Sequence, residues 1–175
     1  MVFPSKTQWR NIVVNAIWAH ERCAASTVTQ DPSLCRFVTV YGVEPHVHPV
    51  WVAEQRTKGH RKHFRDLAKL NCVPFVNRIE LCAYCNKIVG DQLDHFFHSC
   101  GKYTVTREYF WTIVVNSCST VLGAYLHNFP DEAMSAVILG KRPAINITDR
   151  EAFCLLEICA KCWQLLAYDK NLKFY

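Results

Sequence analysis

The sequence predicts a mainly α-helical domain carrying one small inserted CCHC zinc-knuckle hairpin, and three observations lead there. Apolar residues recur at helical spacing behind capping signals along most of the 175-residue chain. In its middle, Cys82, Cys85, His95 and Cys100 form Cys-x2-Cys-x9-His-x4-Cys, a spacing that can close a tetrahedral zinc site. The strand-like alternation of residues 79–82 is short and runs straight into that pattern.

Composition sets the scale. With 50% hydrophobic and 13% aromatic residues the chain can bury one core. Its expected parts are N-terminal helices over residues 1–78, a knuckle over 79–103 and a C-terminal helical bundle over 104–175, packed as one unit. Ten cysteines would suit a disulfide scaffold, but the first residues contain no apolar run of signal-peptide type. The expectation is therefore a reducing, intracellular compartment, nucleus or cytoplasm, with the cysteines outside the motif acting as small buried hydrophobes.

Near the N-terminus, Ser5 and Gln8 read as a capping box. Trp9, Ile12, Val13, Ala16, Ile17 and His20 then recur at helical spacing, predicting a helix over residues 6–22. Asp31-Pro32 starts a second, shorter helix that Gly42 can end. Residues 42–49 hold two prolines and read as a loop, on which His46 and His48 are exposed loop histidines without metal partners at matching spacing.

After Pro49 the chain is helix-competent to Leu70, with Gly59 as a candidate break. Residues 51–70 carry six basic side chains (Arg56, Lys58, Arg61, Lys62, Arg65 and Lys69) against Glu54 and Asp66, most of the net charge of +5. Such a cluster is either a phosphate footprint or a solvated helix face, and charge alone does not separate the two.

Residues 79–82 enter the metal turn, 86–91 with Gly90 return from it, and 92–99 form a helical turn carrying His95. His98, one turn from His95, is a rival fourth ligand, although the His-x4-Cys spacing favours His95. Four protein ligands leave no position for water, so the expected role is structural rather than catalytic. Tyr84, Phe96 and Phe97 lie beside the ligands and could stack on a base or pack the knuckle onto the helices. Lys87 and Lys102 flank them as phosphate contacts.

Downstream, residues 106–116 and 119–128 read as two apolar helices. The uncharged run 109–130 is broken by Asn116, Ser117, Ser119, Thr120, Gly123, His127 and Asn128, so a buried helix pair is expected rather than a membrane span. Pro130-Asp131 opens a third helix that Gly140 should end. Thr148 and Glu151 form a capping box for a last helix reaching about Asp169, inside which Cys159 and Cys162 read as packing residues. The sequence contains no Gly-rich phosphate loop, nucleophile elbow, His-Glu-x-x-His helix or polymerase aspartate pair, so no enzyme is expected.

Taken in order, several of these features resemble the C-terminal tail of reverse transcriptases from non-LTR (LINE-type) retrotransposons. The resemblance rests on Pro4-Ser5-Lys6 with Trp9, His48-Pro49-Val50-Trp51 and Lys69-Leu70. It continues through Cys82-Ala83-Tyr84-Cys85, Asp94-His95-Phe96-Phe97 with Cys100, and Arg107-Glu108-Tyr109-Phe110. It implies a tail that grips single-stranded RNA or DNA through a zinc knuckle, here without the polymerase itself. The residues expected to serve are Cys82, Cys85, His95 and Cys100 for zinc, and Arg61, Lys62, Arg65, Tyr84, Lys87, His98 and Lys102 for nucleic acid. The alternative is a protein-interaction module in which zinc only pins the fold.

Overall fold

A computed structural model of the chain describes residues 62–71, 73 and 79–172, together with Thr7, Gln8, Arg10, Asn11, Val13, Pro49, Val52 and Ala53. Ser5, the helix expected over 31–42, the loop histidines, Arg56, Lys58 and Arg61 lie outside the described residues. Thr7, Gln8, Arg10, Asn11 and Val13 are helical, in keeping with the helix expected there. Pro49 is helical too and not part of a loop, which its fixed φ permits at a helix start.

The architecture is mainly helical with one small hairpin. Helix α1 spans Lys62–Leu70 and buries Phe64, Asp66, Leu67, Ala68 and Leu70 while Lys62, Arg65 and Lys69 stay exposed. Strands β1, Glu80–Leu81, and β2, Ile88–Val89, pair antiparallel with Glu80 opposite Val89 and Leu81 opposite Ile88. Helix α2, Gln92–His98, starts at Asp91, whose carboxylate accepts the Asp94 N–H at 2.9 Å. A 3-10 turn over Gly101–Tyr103 leads into α3, Thr104–Ser117.

The remaining helices begin and end as their signals predict. Helix α4, Thr120–His127, is capped by the Ser119 hydroxyl, which accepts the Leu122 N–H. Helix α5, Asp131–Ile138, follows Pro130, and Gly140 at φ 114° closes it. There the N–H of Lys141 reaches the Ala136 carbonyl and that of Gly140 the Val137 carbonyl, a turn that only glycine enters without strain. Helix α6, Asp149–Trp163, carries the full Thr148/Glu151 capping box and runs on as a 3-10 turn over Gln164–Tyr168.

The core lies where α6 meets α1, α3 and the final 3-10 turn. Trp163 is completely buried at its centre, with Phe97 edge-on at 5.0 Å and Phe110 at 6.0 Å between ring centroids. Cys159 and Cys162 are buried on α6 as packing residues, and burial pushes the Cys162 thiol up to about 11.

The helix pair α3 and α4 departs from expectation. No helix among the described residues is long and apolar enough to cross a membrane, but the pair is only partly buried. Helix α3 sinks Phe110 and Val114 and leaves Val105, Tyr109 and Val115 in solvent, as Val121 is on α4. The reason is geometric: apolar residues surround α3, and one packed stripe is all that α6 can cover.

Candidate metal centre

The hairpin folds because its backbone closes around the first two cysteines. The Asn86 N–H donates to the Cys82 carbonyl and the Cys82 N–H to the Lys87 carbonyl, both at 2.9 Å. Asn86 takes the left-handed conformation this turn demands, φ 55°, which asparagine tolerates better than most residues. Asp91 then starts α2 in the orientation that brings His95 toward the turn, and Cys100 follows from the helix end. The N–H groups of Ser99 and Cys100 both donate to the His95 carbonyl, at 2.9 and 2.8 Å.

Together these elements gather one ligand atom each from Cys82, Cys85, His95 and Cys100, all within 4.8 Å of one another. Cys82 Sγ and Cys100 Sγ are 3.8 Å apart, and Cys85 Sγ and His95 Nε2 are 3.2 Å apart. A tetrahedron with metal–sulfur bonds of about 2.3 Å has edges of about 3.8 Å, so the donor set fits a four-coordinate metal ion. His95 Nδ1 lies 2.7 Å from Ser99 Oγ. With Nε2 as the ligand atom, Nδ1 carries the proton and donates to that hydroxyl, which fixes tautomer and ring orientation.

Electrostatics suit the same role at Cys82 and His95 and oppose it at Cys100. Burial raises the Cys82 thiol, but the N–H groups of Tyr84 and Cys85 and the adjoining thiols favour its thiolate and bring it below its ordinary value. Burial pushes Cys100 up to about 11. Burial, then the positive charges of Lys87 and Arg107, hold His95 below its ordinary value and keep the imidazole neutral, as ligation requires. A bound cation would supply the charge that three clustered sulfurs lack.

Among the residues expected to act here, His98 is not a ligand. Its Nε2 lies 2.7 Å from Ser135 Oγ and its Nδ1 3.6 Å from the Asp131 carboxylate, which ties α2 to α5. Phe96 and Phe97 are both buried, so both pack the knuckle rather than present a stacking face. Lys102 places its ammonium 3.5 Å from the Tyr84 ring centroid and 3.3 Å from the Asp169 carboxylate. Lys62 and Arg65 stand exposed on α1, and Lys87 stands exposed on the hairpin.

Four residues to which the sequence assigned no role, Arg107, Asp169, Tyr168 and Ser99, tie the centre and its surroundings together. Arg107 donates to the carbonyls of Phe96 at 3.1 Å and Cys100 at 2.7 Å, capping the end of α2 from the first turn of α3. Asp169 accepts the hydroxyl of Tyr84 at 2.8 Å, that of Tyr103 and the Asn171 N–H, joining the cysteine turn to the C-terminal segment. Its neighbour Tyr168 donates to both oxygens of buried Asp66 at 2.9 Å. Only Ser99 left a legible sign, four residues after a ligating histidine.

No protein-family model, curated protein or solved structure matches the chain. Fold and site thus define its class: a mainly helical protein with a hairpin beside a Cys3His set able to hold a metal ion.

Proposed function

We propose that the chain is a non-catalytic, zinc-stabilised module that binds single-stranded nucleic acid, similar to the tail of a non-LTR reverse transcriptase. The observation that carries the reading is the convergence of three sulfurs and one imidazole nitrogen within 4.8 Å. Zinc takes that donor set in a closed tetrahedron, where it holds the hairpin together and leaves no position for an activated water. In this reading the hairpin's outer face is the binding surface. Ile79, Leu81 and Ile88 are exposed there at 78%, 62% and 73%, with Lys87 exposed beside them and Tyr84 at its edge.

Lys102 and His98 have internal partners, and the proposed phosphate contacts are Lys87 and the exposed helix α1 side chains Lys62, whose ammonium lies 4.8 Å from the Tyr168 ring centroid, and Arg65, with Arg61 next to them in sequence. Four such contacts give a log–log salt slope of about −3 on a single strand. The test is fluorescence anisotropy of a labelled 20-nucleotide single strand with zinc-loaded protein. Saturable binding with that slope is expected, reduced at least tenfold by Lys62→Glu, Arg65→Glu and Lys87→Glu together. Absence of binding at low salt by a zinc-loaded, folded protein would refute it.

A second reading has its own observation. The exposed apolar hairpin face and the internal use of Tyr84, Lys102 and His98 suit a protein-docking module whose metal only pins the fold. Under it the triple charge reversal leaves partner retention unchanged.

A further inference from the structure

Helix α1 and the final 3-10 turn meet at a basic surface built around one exposed aromatic ring. Lys62, Arg65 and Lys69 recur three and four residues apart, so they share one face of α1, and all three are exposed. Between them Asp66 is buried, and the Tyr168 hydroxyl donates to both of its carboxylate oxygens at 2.9 Å. Held by its tip, Tyr168 is still 54% exposed, with the Lys62 and Lys69 ammonium groups 4.8 and 5.5 Å from its ring centroid. Leu165 lies three residues earlier, which in a 3-10 turn is the same face, and it is exposed too. The next residue, Asp169, accepts the Tyr84 hydroxyl, so the step from Tyr168 to Asp169 joins α1 to the cysteine turn.

We infer that Tyr168 is a stacking platform for an unpaired base of single-stranded nucleic acid, with Lys62, Arg65 and Lys69 taking the phosphates on either side. This rests on the nucleic-acid reading above and adds to it the residue that meets a base. Charge favours a polyanion: three exposed cations stand against one carboxylate, which is buried under Tyr168 and Lys69. An exposed ring among those cations favours an unpaired base over a bare phosphate or an acidic peptide, because every base has a face to stack. Magnitudes allow the exchange. A base stacked on an aromatic side chain adds about 5- to 150-fold in affinity, against about 2- to 5-fold for a surface ammonium–ring contact. The lysines lose little by moving to a phosphate, where their charge is met again. The Asp66 tether holds the ring against α1 beforehand, which lowers the ordering cost of binding.

The test measures binding of the full-length, zinc-loaded protein to two fluorescent 20-residue strands of equal charge, oligothymidylate and a tetrahydrofuran abasic strand. Tyr168→Leu should weaken oligothymidylate binding at least threefold, leave abasic-strand binding unchanged and keep the salt slope, since no phosphate contact is removed. A smaller loss, or an equal loss on both strands, would overturn the inference and leave the nucleic-acid reading standing. No binding of oligothymidylate by the wild type at low salt would overturn both. A second measurement does not depend on that variant folding. The Tyr168 ring resonances of 13C-tyrosine-labelled wild type, identified by their loss in Tyr168→Phe, should shift upfield to saturation with oligothymidylate. An unmoved ring would also count against the platform.

Discussion

Strands β1 and β2 are two residues long and leave Leu81 and Ile88 62% and 73% exposed, whereas α6 over Asp149–Trp163 buries Leu155, Leu156, Ile158, Cys159, Cys162 and Trp163. Apart from buried Val89, the hairpin strands turn their apolar side chains to solvent, while Cys82 is buried. Helix α6 does the reverse. Two strands that bury only Val89 are marginal in water, so the hairpin's order must come from its four donor residues and from the helices it touches. The helices need no such aid, because burial of aromatic and aliphatic surface is enough to hold them. One chain therefore contains a region whose donor atoms could tie its order to a metal ion and a region whose order is tied to packing.

Metal removal is the strongest way to separate the two. Structural zinc contributes about 10 kcal/mol or more in isolated knuckle peptides. Chelation, or Cys82→Ser, should therefore abolish amide-exchange protection over residues 80–100 while α3 and α6 keep theirs. Equal loss in both regions would erase the distinction. Mild acid should draw the same line. Because His95 is held below its ordinary value of 6.5, its contribution is present above that pH and is lost as pH falls through the lower folded value. Protons also compete with metal for the ligands, so the hairpin should fail before the helices in an acid titration followed by NMR.

The converse experiment strikes the packed region. Val114 is fully buried on α3 and Leu155 nearly so on α6, and Leu155→Ala should destabilise the helices by about 2–5 kcal/mol through lost burial and a residual cavity. Thermal unfolding should shift while metal stoichiometry in the folded protein stays at one. A smaller effect probes the seam between the regions. Asp169→Ala strips the buried Tyr103 hydroxyl and the Lys102 ammonium of their acceptor. The cost should be about 1–3 kcal/mol, and metal release by a chelator should become faster because Tyr84 is no longer tied down. Unchanged release kinetics would mean that the two regions are mechanically independent.

Much of this was legible in the residues themselves. Local signals fixed the starts of α4, α5 and α6, because Ser119, Pro130 and Thr148 satisfy or avoid orphan N–H groups within their own first turns. The ligand set was legible for a similar reason, since a tetrahedral ion imposes short spacings that chemistry recognises. Less was legible where partners are remote in sequence. Asp169 meets Tyr84 across 85 positions and Asp66 meets Tyr168 across 102, and no local pattern encodes such encounters. Burial of α3 was overestimated because hydrophobicity shows which surfaces could be covered and not how many neighbours arrive to cover them.

Sequence alone determined the helical character, the helix boundaries set by caps and Gly140, and the four atoms able to meet a metal ion, because each depends on residues a few positions apart. Tertiary structure alone decided that His98 turns to Ser135, that Lys102 and Tyr84 are drawn to Asp169, and that the buried Trp163 N–H meets no acceptor among the described residues. Those outcomes depend on which distant surfaces come into contact, and long-range packing chooses among partners that local chemistry leaves equivalent.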